Sequence, residues 1–231
     1  MIERSAASRA LPLRCAASVY SSPAGRAPVG GDWCAVRELP AERVALMLGD
    51  VAGHGRSIAG KMHSVRASML LAIETVSVPS HVLAIGNEVA SGWGDGTLVT
   101  AIVAIVDLAR RTLSFANAGH PPPLLMSGDQ HTLLEHRPAD LPLGVFAGYQ
   151  AADYVLGLPL DALLVLYSDG ITEHDRDLQR GEAELIRAAR WAYARPHLDA
   201  ARTIARRVLN RKRGHDDVAA LALRTSASDD P

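Results

Sequence analysis

The chain has 231 residues, 48% of them hydrophobic and 21% charged, a composition typical of a folded globular protein and not of a disordered or fibrous one. Its 24 basic and 25 acidic residues leave no net positive charge to attract nucleic acid or a membrane surface, so neither is expected as a partner. The two cysteines form no CxxC pair and no apolar run reaches membrane-spanning length, which excludes a redox motif and a transmembrane helix and favours the cytoplasm.

The first half of the chain predicts strands that lead into glycine-rich turns, followed by two helices. Residues 21–31 form a loop rich in Pro and Gly that ends at Asp32. The apolar run 44–48 is typical of a strand buried on both faces, and it ends at Asp50 in a turn with three glycines. Ser57 is a candidate cap for the helix that follows. The predicted elements are strands at 15–20, 33–39 and 44–48 and helices at 57–75 and 79–92.

The second half predicts mainly hairpins, then two more helices and a last strand. Short connections between successive strands favour antiparallel pairing. Pairs of helices separated by runs of antiparallel strands indicate an α+β domain, with helices packed over a sheet or sandwich. The predicted elements are strands at 98–106, 112–116, 124–126, 131–134, 163–167 and 218–223 and helices at 181–194 and 198–212.

Four aspartates stand at the ends of predicted strands, and they are the candidate chemical groups: Asp32, Asp50, Asp169 and Asp216. A single Asp-Gly at a strand end is more often a turn. If these strand ends share one edge of a sheet, each close pair of carboxylates costs about 4 kcal/mol at an effective dielectric of 20. Divalent cations would remove that cost, and carboxylates without His or thiolate partners favour Mg²⁺ or Mn²⁺ over zinc. Two such ions can activate water and hold a phosphoryl group, so phosphoester hydrolysis is the leading chemistry.

Seven ordered motifs resemble those of the SpoIIE-type serine phosphatases of bacterial stress and sporulation signalling, within the metal-dependent phosphatases related to PP2C. The resemblance covers roughly residues 14–224. The motifs are Val-Gly-Gly-Asp-Trp at 29–33, Gly-Asp-Val-Ala-Gly-His-Gly at 49–55, Val-Thr-Ala at 99–101, Asn-Ala-Gly-His-Pro-Pro at 117–122, Leu-Pro-Leu-Gly at 141–144, Leu-Tyr-Ser-Asp-Gly at 166–170 and His-Asp-Asp-Val at 215–218.

The resemblance implies a fold and a site. The fold is an antiparallel β-sandwich flanked by pairs of helices, in four α-β-β-α layers, with residues 1–13 and 225–231 as extensions of a domain at 14–224. Asp50 would bridge two Mn²⁺ or Mg²⁺ ions, while metal-bound water attacks the phosphorus. Asp169 and Asp216 would complete the ligands of one metal, with Asp217 as support. Asp32 and the carbonyl of Val51 would complete the ligands of the other metal. His54 is a candidate general acid, with the alternative that it only orients the glycine turn.

By the same resemblance, the substrate would be a phosphoserine or phosphothreonine on a signalling protein. A small STAS-type anti-sigma-factor antagonist, as used in partner switching, is the expected class. Two other readings stay open: a hydrolase of a small phosphorylated metabolite, and a module that binds a phosphoprotein without turnover. The acidic residues at all four ligand positions argue against the binding module.

Overall fold

The computed structural model describes residues 9–10, 15–23, 30–135, 140–173, 177–209 and 217–226. The order of elements follows the predicted sequence of strands and helices. The elements are β1 (Arg9–Ala10), β2 (Cys15–Ser22), β3 (Trp33–Leu39), β4 (Arg43–Val51), α1 (Arg56–Thr75), α2 (Pro79–Ser91), β5 (Val99–Asp107), β6 (Thr112–Ala118), β7 (Leu124–Ser127), β8 (Gln130–Leu133), β9 (Tyr154–Gly157), β10 (Ala162–Tyr167), α3 (Asp169–Thr172), α4 (Leu178–Tyr193), α5 (Ala200–Leu209) and β11 (Val218–Thr225).

The chain divides into two compact units, which we name after their aspartates. The Asp50 unit comprises residues 27–120 and 136–157, and the Asp169 unit comprises 1–26, 121–135 and 158–231. Each unit contains one antiparallel sheet, with strand order β3-β4-β5-β6-β9 in the Asp50 unit and β1-β2-β11-β10-β7-β8 in the Asp169 unit. Two antiparallel sheets with helices confirm the predicted α+β class.

In the Asp50 unit, α1 and α2 cover one face of the sheet. The buried residues of α1 recur at three- and four-residue steps, which places them on one side of the helix: Met62, Val65, Met69, Ala72 and Ile73. They pack against alternate residues of the strands, among them Ala45 and Met47 of β4. This packing fixes α1 directly over the strands that end at the candidate site.

The start of α1 differs from the prediction. The helix begins at Arg56 after Gly55, which has φ 99° and makes no side-chain cap, so Ser57 lies within the first turn and cannot act as the cap. Gly53 also has a positive φ, of 109°. A residue with a Cβ rarely adopts this backbone conformation, so the two glycines let the chain turn sharply from β4 into the helix.

In the Asp169 unit, α4 and α5 pack against the sheet through small and aliphatic side chains. The core combines Leu163, Val165 and Tyr167 of β10 with Leu185 of α4 and Ile204 of α5. The backbone N–H at the start of α5, at Ala201, donates to Ser18 Oγ of β2 over 3.0 Å, which links the helix to the sheet. Of the helices in the described ranges, none combines the length and apolar sequence that crossing a bilayer requires.

Candidate metal and phosphate site

Asp32 and Asp50 lie opposite each other at the ends of β3 and β4. Trp33 pairs with Gly49 across the antiparallel strands, and the backbone N–H of Val51 donates to the Gly31 carbonyl over 3.3 Å. Continuing this register sets Asp32 across from Asp50, and directly opposed residues of antiparallel strands have Cβ atoms about 5 Å apart. Two carboxylates brought this close would repel each other, a cost that a cation would relieve.

Gly31 allows a close approach of the backbone to the oxygens at this strand end. A Cβ atom at this position would lie 2.4 Å from the Val51 carbonyl oxygen and 2.5 Å from Asp50 Oδ1, closer than any side chain can be accommodated. The glycine therefore lets the backbone approach a carboxylate and a carbonyl oxygen closely, with Asp32 next to it in the chain. Oxygen donors of this kind are the ligands that Mg²⁺ and Mn²⁺ prefer, so the donor set fits the predicted cations.

The neighbouring thiol does not belong to this donor set. Burial, and to a lesser extent the nearby Asp32 carboxylate, raise the pKa of the Cys34 thiol to about 12, while Arg66 acts in the opposite direction. A thiol with this pKa is protonated at neutral pH, whereas a metal ligand must be a thiolate. The chemistry on this strand end is therefore that of hard oxygen ligands.

Hydrogen bonds connect the start of β5 to the turn after β6. Thr100 pairs with Asp50 across β4 and β5, and its Oγ1 lies 2.9 Å from Nδ1 of the buried His120. The Asn117 side chain donates to the His120 carbonyl and accepts from the His120 N–H, both over 2.8 Å. The sequence motif at 117–122 thus has a structural role: it fixes the turn after β6 and places a histidine against the strand that faces Asp50.

Asp169 begins the short helix α3, directly after the buried strand β10. The Ser168 N–H donates to the Ala219 carbonyl over 2.9 Å, and the Ala219 N–H donates to Ser168 Oγ over 2.8 Å. A Cβ atom on Gly170 would lie 2.0 Å from the Asp217 carbonyl oxygen. The Asp169 turn therefore packs tightly against the start of β11, next in sequence to Asp216, which itself lies outside the described residues.

His54 is exposed in the turn between Gly53 and Gly55. Its predicted role as general acid stays a prediction. Within the described parts of the chain, no three His, Cys, Asp or Glu side chains form a group that could hold a metal ion. The structure brings Asp32, Asp50 and the Val51 carbonyl together and places Asp169 in the other unit, so the complete ligand set stays a prediction as well.

A tether beside this region was not predicted from sequence. Lys61 of α1 donates to Asp95 and to Thr97 in the loop after α2, and its ammonium group lies 5.1 Å from the centre of the Trp93 ring. The same loop reaches the turn directly after β4, because the Ala52 N–H donates to the Leu98 carbonyl over 3.0 Å. No local pattern indicates such a contact, since its two halves are more than thirty residues apart in sequence.

Comparison with known proteins gives the class of this fold. The catalytic domain of the serine/threonine protein phosphatase PstP, solved in complex with two manganese ions, superposes with a TM-score of 0.67 over 92% of this chain and 99% of that chain, at 13% identity. The solved RsbU and RsbW domains of Rv1364c from Mycobacterium tuberculosis superpose with a TM-score of 0.83 at 25% identity, over 94% of this chain and 61% of that one. The fold is that of the PP2C-type phosphatase domains.

The sequence profile of Stage II sporulation protein E (SpoIIE) matches residues 40–226, so the chain belongs to the SpoIIE family. The resemblance inferred from the motifs is thereby confirmed. Phosphoserine phosphatase RsbP of Bacillus subtilis (strain 168) is 29% identical over 157 residues, which is 63% of this chain and 37% of RsbP. Phosphoserine phosphatase RsbU of the same organism is 29% identical over 133 residues, 57% of this chain and 40% of RsbU. The chain thus aligns with about two fifths of the length of these relatives.

Proposed function

We propose that the protein is a Mn²⁺- or Mg²⁺-dependent phosphatase that hydrolyses phosphoserine or phosphothreonine on a signalling protein. The observation that carries the proposal is the paired strand end, where the register sets Asp32 across from Asp50 and Gly31 lets the backbone lie close to Asp50 Oδ1 and the Val51 carbonyl. Membership of the SpoIIE family and the PP2C-type fold support it, because the relatives with this domain are named as phosphoserine phosphatases.

The proposed ligands are those that the sequence motifs indicate. Asp50 would contribute to holding both cations, Asp32 and the Val51 carbonyl would complete the ligands of one, and Asp169 and Asp216 would complete those of the other, all within one proposed catalytic domain spanning residues 14–224. When bound, the cations would supply an activated water molecule and positive charge for the phosphoryl group. The protein's own contribution is to hold its carboxylates in fixed positions, which the tight turns at Gly31 and Gly170 favour.

We propose as substrate a small STAS-type anti-sigma-factor antagonist carrying a phosphorylated Ser or Thr. The support is the similarity to RsbU and RsbP and to the Mycobacterium tuberculosis structure that contains RsbU and RsbW domains. We propose a cytoplasmic location for the same reason. His54, exposed in the turn that follows β4, is proposed as a group that assists proton transfer to the leaving hydroxyl.

The test is turnover of p-nitrophenyl phosphate and of a phosphoserine peptide with Mn²⁺, with EDTA, and for Asp50→Asn. The substitution keeps the side chain's shape but removes the charge that would bridge two cations, so we expect a loss of at least about a hundredfold in kcat/KM. The matched control is Asp129→Asn, an exposed aspartate in the β7–β8 turn, which should retain full activity. Activity that survives both EDTA and Asp50→Asn would refute the proposal, and activity on metabolite phosphates alone would replace the protein substrate with a small molecule.

A further inference from the structure

The α4–α5 region has a net positive charge, whereas the chain as a whole does not. Residues 178–209 contain seven arginines and three carboxylates, whereas the whole chain has a formal net charge of −1. The buried sides of both helices are built of Ala, Leu, Ile and Val, so the charges are displaced to the outer side. The outcome is a cationic surface on one pair of helices in the Asp169 unit.

Two of these arginines stack on one tryptophan. The guanidinium carbon of Arg195 lies 4.1 Å, and that of Arg207 lies 4.3 Å, from the centre of the Trp191 ring. We call these three residues the Arg–Trp cluster. Arg195 follows Trp191 by one helical turn and also donates to its carbonyl over 3.3 Å, while Arg207 reaches the same ring from α5. Stacking on an aromatic face holds a guanidinium group in place while leaving its edge donors available.

Two of the three carboxylates of this region are engaged elsewhere. Glu184 pairs with Arg180 at 3.1 Å and with Arg187 at 3.8 Å, and Asp199 accepts from the Arg202 backbone N–H at the start of α5. Neither pairs with the cluster. Among the described residues, no carboxylate forms an ion pair with Arg190, Arg195, Arg206 or Arg207.

We propose that the Arg–Trp cluster is a docking site for an acidic segment of a partner protein. The positive charge of the two arginines favours an anionic ligand, and planar guanidinium groups bind carboxylates through paired hydrogen bonds. Tryptophan and arginine together are the residues most enriched where protein interfaces derive their binding energy. Because stacking has already restricted both arginine side chains, less conformational entropy is lost when the acidic segment binds.

The surroundings favour a protein over other polyanions. In the described part of the chain this surface spans one helix pair, and the pI of the chain is about 6.8, whereas duplex-binding domains present an extended basic face. Membrane-binding helices expose large apolar side chains beside their charges. The only large exposed apolar residue in the described parts of α4 and α5 is Leu178, at the far end of α4 from the cluster. The inference does not depend on the proposed phosphatase activity, since none of the cluster residues is a proposed metal ligand.

The test is the binding of the full chain to a fluorescein-labelled peptide of alternating aspartate and serine, followed by anisotropy at low and physiological salt. We expect the wild-type chain to bind, and Arg195→Gln with Arg207→Gln to weaken binding at least about tenfold, because two charge-assisted contacts are lost. Arg207→Lys keeps the charge but loses the planar group, so it should lie between the two. The matched control is Arg111→Gln, which removes one exposed arginine from the β5–β6 turn and should bind as wild type.

The competing partners are tested in parallel with a lysine–serine peptide, with phosphatidylserine vesicles and with duplex DNA. The inference is overturned if the acidic peptide binds equally to the wild-type chain and the double variant, or no better than the lysine–serine peptide. Tighter binding to vesicles or DNA than to the acidic peptide would also overturn it. Thermal melts followed by circular dichroism check folding, and if the double variant is unfolded, the exposed single change Arg207→Gln decides the outcome. Turnover of p-nitrophenyl phosphate by the same variants should be unchanged, which separates this test from that of the phosphatase.

Discussion

At the scale of single residues, the site depends on a glycine as much as on its aspartates. Gly31 stands where a Cβ atom would contact both the Val51 carbonyl oxygen, at 2.4 Å, and Asp50 Oδ1, at 2.5 Å. Neither contact can be relieved by rotating a distant part of a flexible side chain, because one atom is backbone and the other is a short carboxylate. The smallest possible side chain at residue 31 would therefore displace the oxygens that the metal proposal needs.

Gly31→Ala should accordingly abolish metal-dependent turnover and lower the stability of the fold. We expect a loss of at least about a hundredfold in Mn²⁺-dependent activity and a cost of about 1–3 kcal/mol in the free energy of unfolding, as for other overpacked sites. Urea unfolding and Mn²⁺ titration of p-nitrophenyl phosphatase activity measure the two effects.

The control for this change is Gly60→Ala, in α1, where an added Cβ atom meets nothing within 4 Å. Replacing a helical glycine by alanine should raise the free energy of unfolding by up to about 1 kcal/mol and leave activity unchanged. If Gly31→Ala behaves like Gly60→Ala, the close approach of the backbone to Asp50 at Gly31 has no role in catalysis.

At the scale of elements, the tether from Lys61 joins α1 to the loop after α2. Asp95 accepts from Lys61 and from both the side chain and the backbone N–H of Thr97, and these hydrogen bonds lower the pKa of the Asp95 carboxyl to about 2. A carboxyl whose pKa is lower in the folded state stabilises the fold above its unfolded pKa of 3.8 and loses that effect as the pH falls toward 2.

Asp95→Asn should therefore lower the melting temperature above about pH 4, with a difference from wild type that shrinks between pH 4 and pH 2. The side chain is exposed, so added salt should reduce the difference as well. Melting curves across this pH range measure it. In a Lys61→Gln background the same substitution should have a smaller pH-dependent effect, and an equal effect in both backgrounds would show that Lys61 does not act on Asp95.

The elements themselves were predicted wherever burial gives a strong periodic pattern. The apolar runs of β4 and β10 and the three- and four-residue steps of α1 correspond to the strands and helix found. Three elements were missed: β1, β9 and α3. They contain two to four residues each, too few to complete a period, and β9 is an edge strand whose side chains are only partly buried.

At the scale of the whole molecule, metal binding should stabilise the folded chain if the proposed ligands act together. A ligand present at a hundred times its dissociation constant adds about 2.7 kcal/mol, which for a chain of this size raises the melting temperature by several degrees. Asp50→Asn and Asp169→Asn should each remove this Mn²⁺-dependent shift, although the two residues belong to different units.

Differential scanning fluorimetry with and without Mn²⁺ measures the shift without requiring turnover, and Asp129→Asn is again the control that should keep it. If Asp169→Asn retains the full shift while Asp50→Asn loses it, Asp169 is not a ligand and the metal site is confined to the β3–β4 end. Unchanged shifts in both variants would exclude the proposed metal set.

The sequence alone determined the chemical types and the local structure: acids at the ends of apolar strands, glycine-rich turns, an α+β order of elements and family membership. These follow from contacts between near neighbours in the chain and from motifs that need no coordinates. Only the tertiary structure decided which distant residues meet. The register of β3 and β4 sets Asp32 opposite Asp50, Gly31 proves to be the residue without room for a side chain, and Arg207 joins Arg195 over Trp191. Such pairings depend on strand register and helix packing, which are set by contacts throughout the core. No local sequence pattern indicates them.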